Sequence, residues 1–200
     1  TTAYLKANYP QEWLAALLTC DSDDVEKVGK LIREAQSMNI PILPPHINIS
    51  SNHFVATNEG IRFALGAIKG VGKSFIEHLV KERELHGPYR SIQDFIQRSN
   101  FTKISKKNME SLVDAGCFDC FEPNRDLALA SLDALYNTVS KEKKEAATGV
   151  MTFFSLDSMH EQNPLPVAAP KDVVFRTKKE LLKKEKELLG IYLTEHPMDA

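Results

Sequence analysis

Nowhere in these 200 residues does an apolar run approach the roughly 18 residues that a bilayer-spanning helix requires. No basic start followed by a short apolar core marks a secretory signal either. Cysteine is scarce and odd in number, with only Cys20, Cys117 and Cys120. A secreted scaffold of paired disulfides is thereby excluded, and a reducing, cytoplasmic setting is expected. Cys117 and Cys120 have the two-residue spacing of zinc ligands, but no second pair completes a set of four, and His86 is remote in sequence. The six histidines (His46, His53, His78, His86, His160 and His196) show no metal-ligand or triad spacing and read as surface or capping residues. No metal and no cofactor is expected of this stretch.

An excess of positive charge is also missing. The net charge is −2, whereas nucleic-acid-binding domains are usually basic. The average conceals a pattern. Residues 1–60 carry 4 basic and 7 acidic side chains, and residues 111–170 carry 4 and 9. Between them, residues 61–110 carry 10 and 5, a net of +5. Residues 171–200 are nearly balanced, with 7 and 6. One basic window lies between two acidic neighbours.

What is present is mostly helical periodicity. Tyr4 to Leu18 reads as a helix broken at Pro10, with Trp13, Leu14, Leu17 and Leu18 at helical spacing. Asp23 and Glu26 form a capping-box-like start for a helix that ends at Asn39, before Pro41. Residues 41–50 are expected to be a proline-punctuated loop, and residues 53–66 a small β-hairpin turning at Glu59-Gly60. Helices are then expected from about Gly70 to His86, from Ser91, from Ser105 to Gly116, and from Asn124 to about Lys144, the last with Ala128, Leu132, Leu135 and Val139 on one face. Residues 146–170 have linker composition. A last helix over about 176–189 carries a Lys183–Glu187 run read as a solvated face, and Ile191, Tyr192 and Leu193 look strand-like. Tyr4, Trp13, Phe54 and Phe75 read as core residues rather than stacking platforms. The fold class is mainly α with a small β-hairpin, a flexible linker and a C-terminal helix.

The densest chemical signal is Ala67-Ile-Lys-Gly-Val-Gly-Lys-Ser74. As a phosphate-binding P-loop it fails, because that motif needs glycine where Ala67 stands, and no alternation of strands and helices surrounds it. As a helix–hairpin–helix it is complete: apolar Ile68, spacer Lys69, then Gly70-Val71-Gly72 opening a helix at Lys73. Glycines permit a tight turn and close approach of a phosphate. The amides at the helix start, including that of Ser74, suit phosphate oxygens. Val71 would plug the core, while Lys69 and Lys73 add charge. A second, glycine-free hairpin follows, in which Lys103, Ser105, Lys106 and Lys107 stand at a helix start. Paired hairpins of this kind hold a duplex through its backbone.

The succession of motifs resembles the alpha (catalytic) subunit of bacterial DNA polymerase III. The carriers are TAYLKANYPQEWLAALLTCD, MNIPILPPHINIS, GIRFALGAIKGVGKSFIEHLVKER, FTKISKKNMESLVDAGCFD and ELLGIYLTEHPMDA. The resemblance implies an internal fragment of a polymerase whose phosphoryl transfer uses two metal ions, magnesium, held by palm aspartates upstream of this chain. It implies that residues 1–50 are the C-terminal part of the fingers domain. Residues 51–145 would be the β-hairpin and tandem helix–hairpin–helix domain. Residues 146–172 would be a linker, and residues 173–200 a helix leading to an OB-fold. The partners implied are duplex primer–template DNA, the sliding clamp (beta subunit) and other holoenzyme subunits, with no membrane. The linker would hold a degenerate clamp-binding peptide, Val150-Met151-Thr152-Phe153-Phe154, with Val150 where the family has glutamine. A replisome scaffold with little DNA binding of its own is the alternative, and a P-loop nucleotide-binding protein a remote one.

Overall fold

A computed structural model of the chain describes residues 2–99, 105–147 and 173–194. Pro10 lacks an amide hydrogen and sits at N1, where that hydrogen would have no acceptor. The chain accordingly forms α1 (Thr2–Asn8) and then α2 (Pro10–Cys20). α3 (Val25–Ser37) buries Val28, Ile32 and Ala35. Its cap is Asp24 rather than the expected Asp23. The Asp24 carboxylate accepts the amides of Glu26 and Lys27 at 3.1 and 3.2 Å, and its extended backbone (φ −111°, ψ 96°) is what a cap requires. Asp24→Ala should therefore lower stability by about 1 kcal/mol in urea unfolding, whereas Asp23→Ala should move the midpoint little. Tyr4 departs from expectation, since α1 buries nothing and Tyr4 is 63% exposed. Trp13 packs partly against the core, while Phe54 and Phe75 are buried in it.

The proline-punctuated segment is not wholly a loop. Ile42–Leu43 form β1, which runs parallel to β3 (Gly60–Arg62), and β2 (Val55–Thr57) pairs antiparallel on the other side of β3. The expected hairpin is thus two strands of a three-stranded sheet ordered β1-β3-β2. Proline tolerates this edge because only its carbonyl is needed: the Ile61 amide donates to the Pro41 carbonyl at 2.9 Å. Gly60 is required here, since its φ is +144° and a Cβ would lie 2.2 Å from that same oxygen.

The remaining helices are α4 (Lys73–His86), α5 (Ile92–Arg98), α6 (Lys106–Asp114), α7 (Arg125–Ala147) and α8 (Lys178–Leu189). Ser91, Ser105 and Thr177 cap α5, α6 and α8 through their hydroxyls. One continuous core runs from Leu14 and Leu18 on α2, through Phe63 and Ile76, to Leu132 on α7 and Leu189 on α8. Phe95 stands at its centre, edge-on to Tyr89 and Phe118 at 5.2 and 4.9 Å. Lys103, the side chain of Val139 and the linker with Val150–Phe154 lie outside the described residues.

Two expectations about the last segment change. Residues 191–193 are not a strand; with Thr194 they bend over α8. The Lys183–Glu187 run is solvated except for Glu185, which is buried. Both changes have one cause. The Glu185 carboxylate accepts the amides of Leu193 and Thr194 at 2.6 and 2.9 Å and the Arg125 guanidinium at 3.0 Å, so the segment after α8 folds back around it.

Candidate nucleic-acid interface

The first hairpin is built in a short space. Only seven residues separate β3 from Gly70, too few for two turns of α-helix, and the lead-in is a three-residue 3-10 turn, Leu65–Ala67. Ile68 is buried, and the amide of Val71 donates back to its carbonyl at 3.3 Å. Gly70 turns the chain with φ +86°. Val71 points inward and is 8% exposed, whereas Lys69, Gly70, Gly72, Lys73 and Ser74 lie on the surface.

Gly72 is the N-cap of α4, with no side chain to close it. Its carbonyl takes the amides of Phe75 and Ile76 at 3.1 and 3.2 Å. The amides of Lys73 and Ser74 come earlier in the helix and have no intrahelical acceptor. A Cβ added at Gly72 would meet nothing within 4 Å, so the space before these donors is open. Free amides, the helix dipole and an open approach are together the features that an anion at a helix start requires.

Three contacts locate this turn. The Lys69 amide donates to the Leu188 carbonyl at 3.0 Å, tying the hairpin to the end of α8. A Cβ on Gly70 would lie 3.7 Å from Ser111 Oγ, which places the turn against α6. Lys73 Nζ donates to Asp23 Oδ2 at 2.9 Å, reaching the α2–α3 turn.

The second hairpin is set differently. Ser105 Oγ accepts the Asn108 amide at 3.3 Å and donates to Asn108 Oδ1 at 2.9 Å, so the start of α6 has its own cap. Lys106 is engaged by Asp133 at 3.0 Å and Glu110 at 3.7 Å, and its hydrogen bond to Asp133 raises its pKa above the ordinary lysine value. Lys107 is exposed. The two hairpins therefore meet through Gly70 and Ser111, but their helix starts differ in readiness for an anion. The sequence pattern located the first hairpin. The attachments of Lys73 to Asp23, Lys69 to Leu188 and Lys106 to Asp133 escaped it, because all three partners are remote in sequence.

Other candidates have structural duties. Burial pushes the Cys117 thiol far up and makes it inert. Among the described residues no group of three or more His, Cys, Asp or Glu is placed to hold a metal ion. A cleft of about 580 Å³ at the start of α7 is lined by Arg125, Arg176, Asp126 and Glu185. Its charges pair with one another, Arg125 with Asp119 and Glu185, and Arg176 with Asp114 and Asp126.

Comparison with known proteins agrees with this geometry. Residues 39–128 match the family model described as a helix-hairpin-helix motif. The whole chain is 74% identical to the DNA polymerase III subunit alpha of Chlamydia pneumoniae, covering 16% of that protein. It is 68% identical over its full length to the same subunit of Chlamydia muridarum, again covering 16% of it. Over 98% of the chain it is 39% identical to the Thermus aquaticus subunit, covering 15% of that protein. The chain thus spans about one sixth of the length of these relatives. Among the described residues no helix is long and apolar enough to cross a membrane.

Proposed function

Since this chain belongs to the DNA polymerase III alpha family, we propose that its hairpins grip the phosphates of duplex DNA without reading sequence. The observation that carries this reading is the exposed start of α4, uncapped by any side chain and flanked by Lys69 and Lys73. Phosphate oxygens would accept the amides of Lys73 and Ser74, and the two ammonium groups would release counterions from the duplex. Such contacts position a duplex and carry no base information. Lys103, Ser105, Lys106 and Lys107 supply a second grip, to which Lys107 contributes at least cost because Lys106 must first leave Asp133.

In the same reading, residues 1–50 end the fingers and residues 51–145 form the DNA-holding domain. Residues 146–172 present Val150–Phe154 to the sliding clamp, with Phe153 and Phe154 as anchors, and residues 173–200 lead toward the OB-fold. The whole protein is proposed to be a cytoplasmic DNA-directed DNA polymerase that works on primer–template with magnesium, the clamp and other holoenzyme subunits. The catalytic carboxylates and their metal ions are assigned to its other parts, and this chain alone is expected to lack polymerase activity.

Fluorescence anisotropy of a labelled duplex against salt tests the DNA reading. Each phosphate contact contributes about −0.9 to the slope of log affinity against log salt. Lys69→Ala and Lys73→Ala should each flatten the slope by about one such unit and weaken binding equally for unrelated sequences. A flat parental slope, or binding untouched by Lys73→Glu, would overturn the reading. Clamp binding measured beside it separates the scaffold alternative, which predicts clamp capture without salt-dependent DNA binding.

A further inference from the structure

On the reading that the first hairpin holds duplex phosphate, we infer that Asp23 is an internal competitor for that phosphate, a carboxylate of the α2–α3 turn occupying the lysine that DNA must use. The turn contains three aspartates, and their duties differ. Asp21 pairs with Lys27 at 3.2 Å, and Asp24 caps α3. Asp23 neither caps nor pairs locally. Its contact reaches 50 residues along the chain to Lys73 Nζ at 2.9 Å. Asp23 is 78% exposed at the side chain and Lys73 56%, so water and a polyanion both have access to the pair.

An exposed pair of this kind is weak enough to be exchanged. A duplex phosphate arriving at Lys73 displaces Asp23, and the bound state releases the α2–α3 turn from the hairpin. Binding then swaps one ion pair for another rather than adding one. The grip is consequently weaker than its lysines alone would make it, and occupancy of the hairpin is linked to the position of the preceding helices.

The experiment is a double-mutant cycle on duplex affinity, read by anisotropy at low and moderate salt with the 200-residue chain. Asp23→Asn, which keeps shape at an exposed position, should tighten binding about two- to five-fold, with a gain that shrinks as salt rises. In a Lys73→Ala background, the same substitution should change nothing. An equal gain in both backgrounds would make Asp23 a general repulsive charge and overturn the inference. So would no gain from Asp23→Asn while Lys73→Ala still weakens binding, an outcome that leaves the DNA grip itself standing. Absence of duplex binding in the parent overturns both.

Discussion

Glu185→Ala is expected to lower the unfolding free energy by about 3–5 kcal/mol, the range for removing one partner of a buried ion pair. The side chain is 1% exposed and paired with Arg125, itself 11% exposed. Its oxygens also accept the Thr194 hydroxyl at 2.5 Å and the amides of Leu193 and Thr194. Alanine leaves two amides without acceptors and strips from the guanidinium one of its carboxylates, with Asp119 and the Asp114 carbonyl remaining. Glu185→Gln keeps the shape and one carbonyl oxygen, so its loss should fall between. A urea midpoint for Glu185→Ala within error of the parent would show that the buried carboxylate contributes nothing.

The same group sets an acid dependence. Burial by itself pushes the Glu185 carboxyl up, but the Thr194 hydroxyl and amide, the Leu193 amide and Arg125 outweigh it and hold the carboxyl below its usual 4.5. A depressed folded-state pKa means that the stabilisation is complete above the unfolded value and drains away as pH falls through the folded one. Stability plotted against pH should accordingly fall on the acid side of 4.5, and less steeply in Glu185→Gln.

Phe95→Ala should cost a similar amount, about 3–5 kcal/mol, as the transfer and cavity terms of a large buried ring combine. Phe95 has no exposed surface and meets Tyr89 and Phe118 at interplanar angles of 73° and 75°. Its loss opens the layer between α5 and α7 and removes two edge-to-face ring contacts. Phe95→Leu keeps most of the volume and should cost under half as much. Thermal unfolding of the two variants side by side checks the ratio; an equal loss in both would point to ring geometry rather than volume. Tyr89 gives an independent readout of the same layer. Its hydroxyl donates to the Leu79 carbonyl at 3.1 Å, and burial pushes its pKa up to about 12.

Legibility in the sequence followed the range of the interaction. Caps and stops were readable because a serine hydroxyl or a left-handed glycine acts within four residues, as at Ser91, Ser105, Gly87 and Gly116. The helical core positions were readable from period alone, and the glycine turn with its inward Val71 was readable from residue type. Two failures were local, the α3 cap at Asp24 rather than Asp23 and the exposed Tyr4, and the others were long-range. β1 exists because Ile42 finds Ile61 across 19 residues, and a two-residue strand leaves no alternation to detect. Glu185 looked like one more charge in a polar run because its partner Arg125 lies 60 residues earlier. Asp23 and Glu26 have capping-box spacing, and nothing nearby announces Lys73. For the interface, residue types marked the two helix starts, but only the fold distinguishes an open one from a capped one.

The loop closed around Glu185 also has a mechanical meaning. Leu193 and Thr194 are made fast to a carboxylate that is itself anchored on α7, as a rope is made fast to a cleat. A pull on Thr194 is passed through that carboxylate to Arg125, which Asp119 and the Asp114 carbonyl hold in turn. The Lys69–Leu188 bond lies on the sheltered side of that knot. A pull on Thr194 therefore meets Glu185 and Arg125 before it reaches the Lys69–Leu188 bond that ties down the glycine turn.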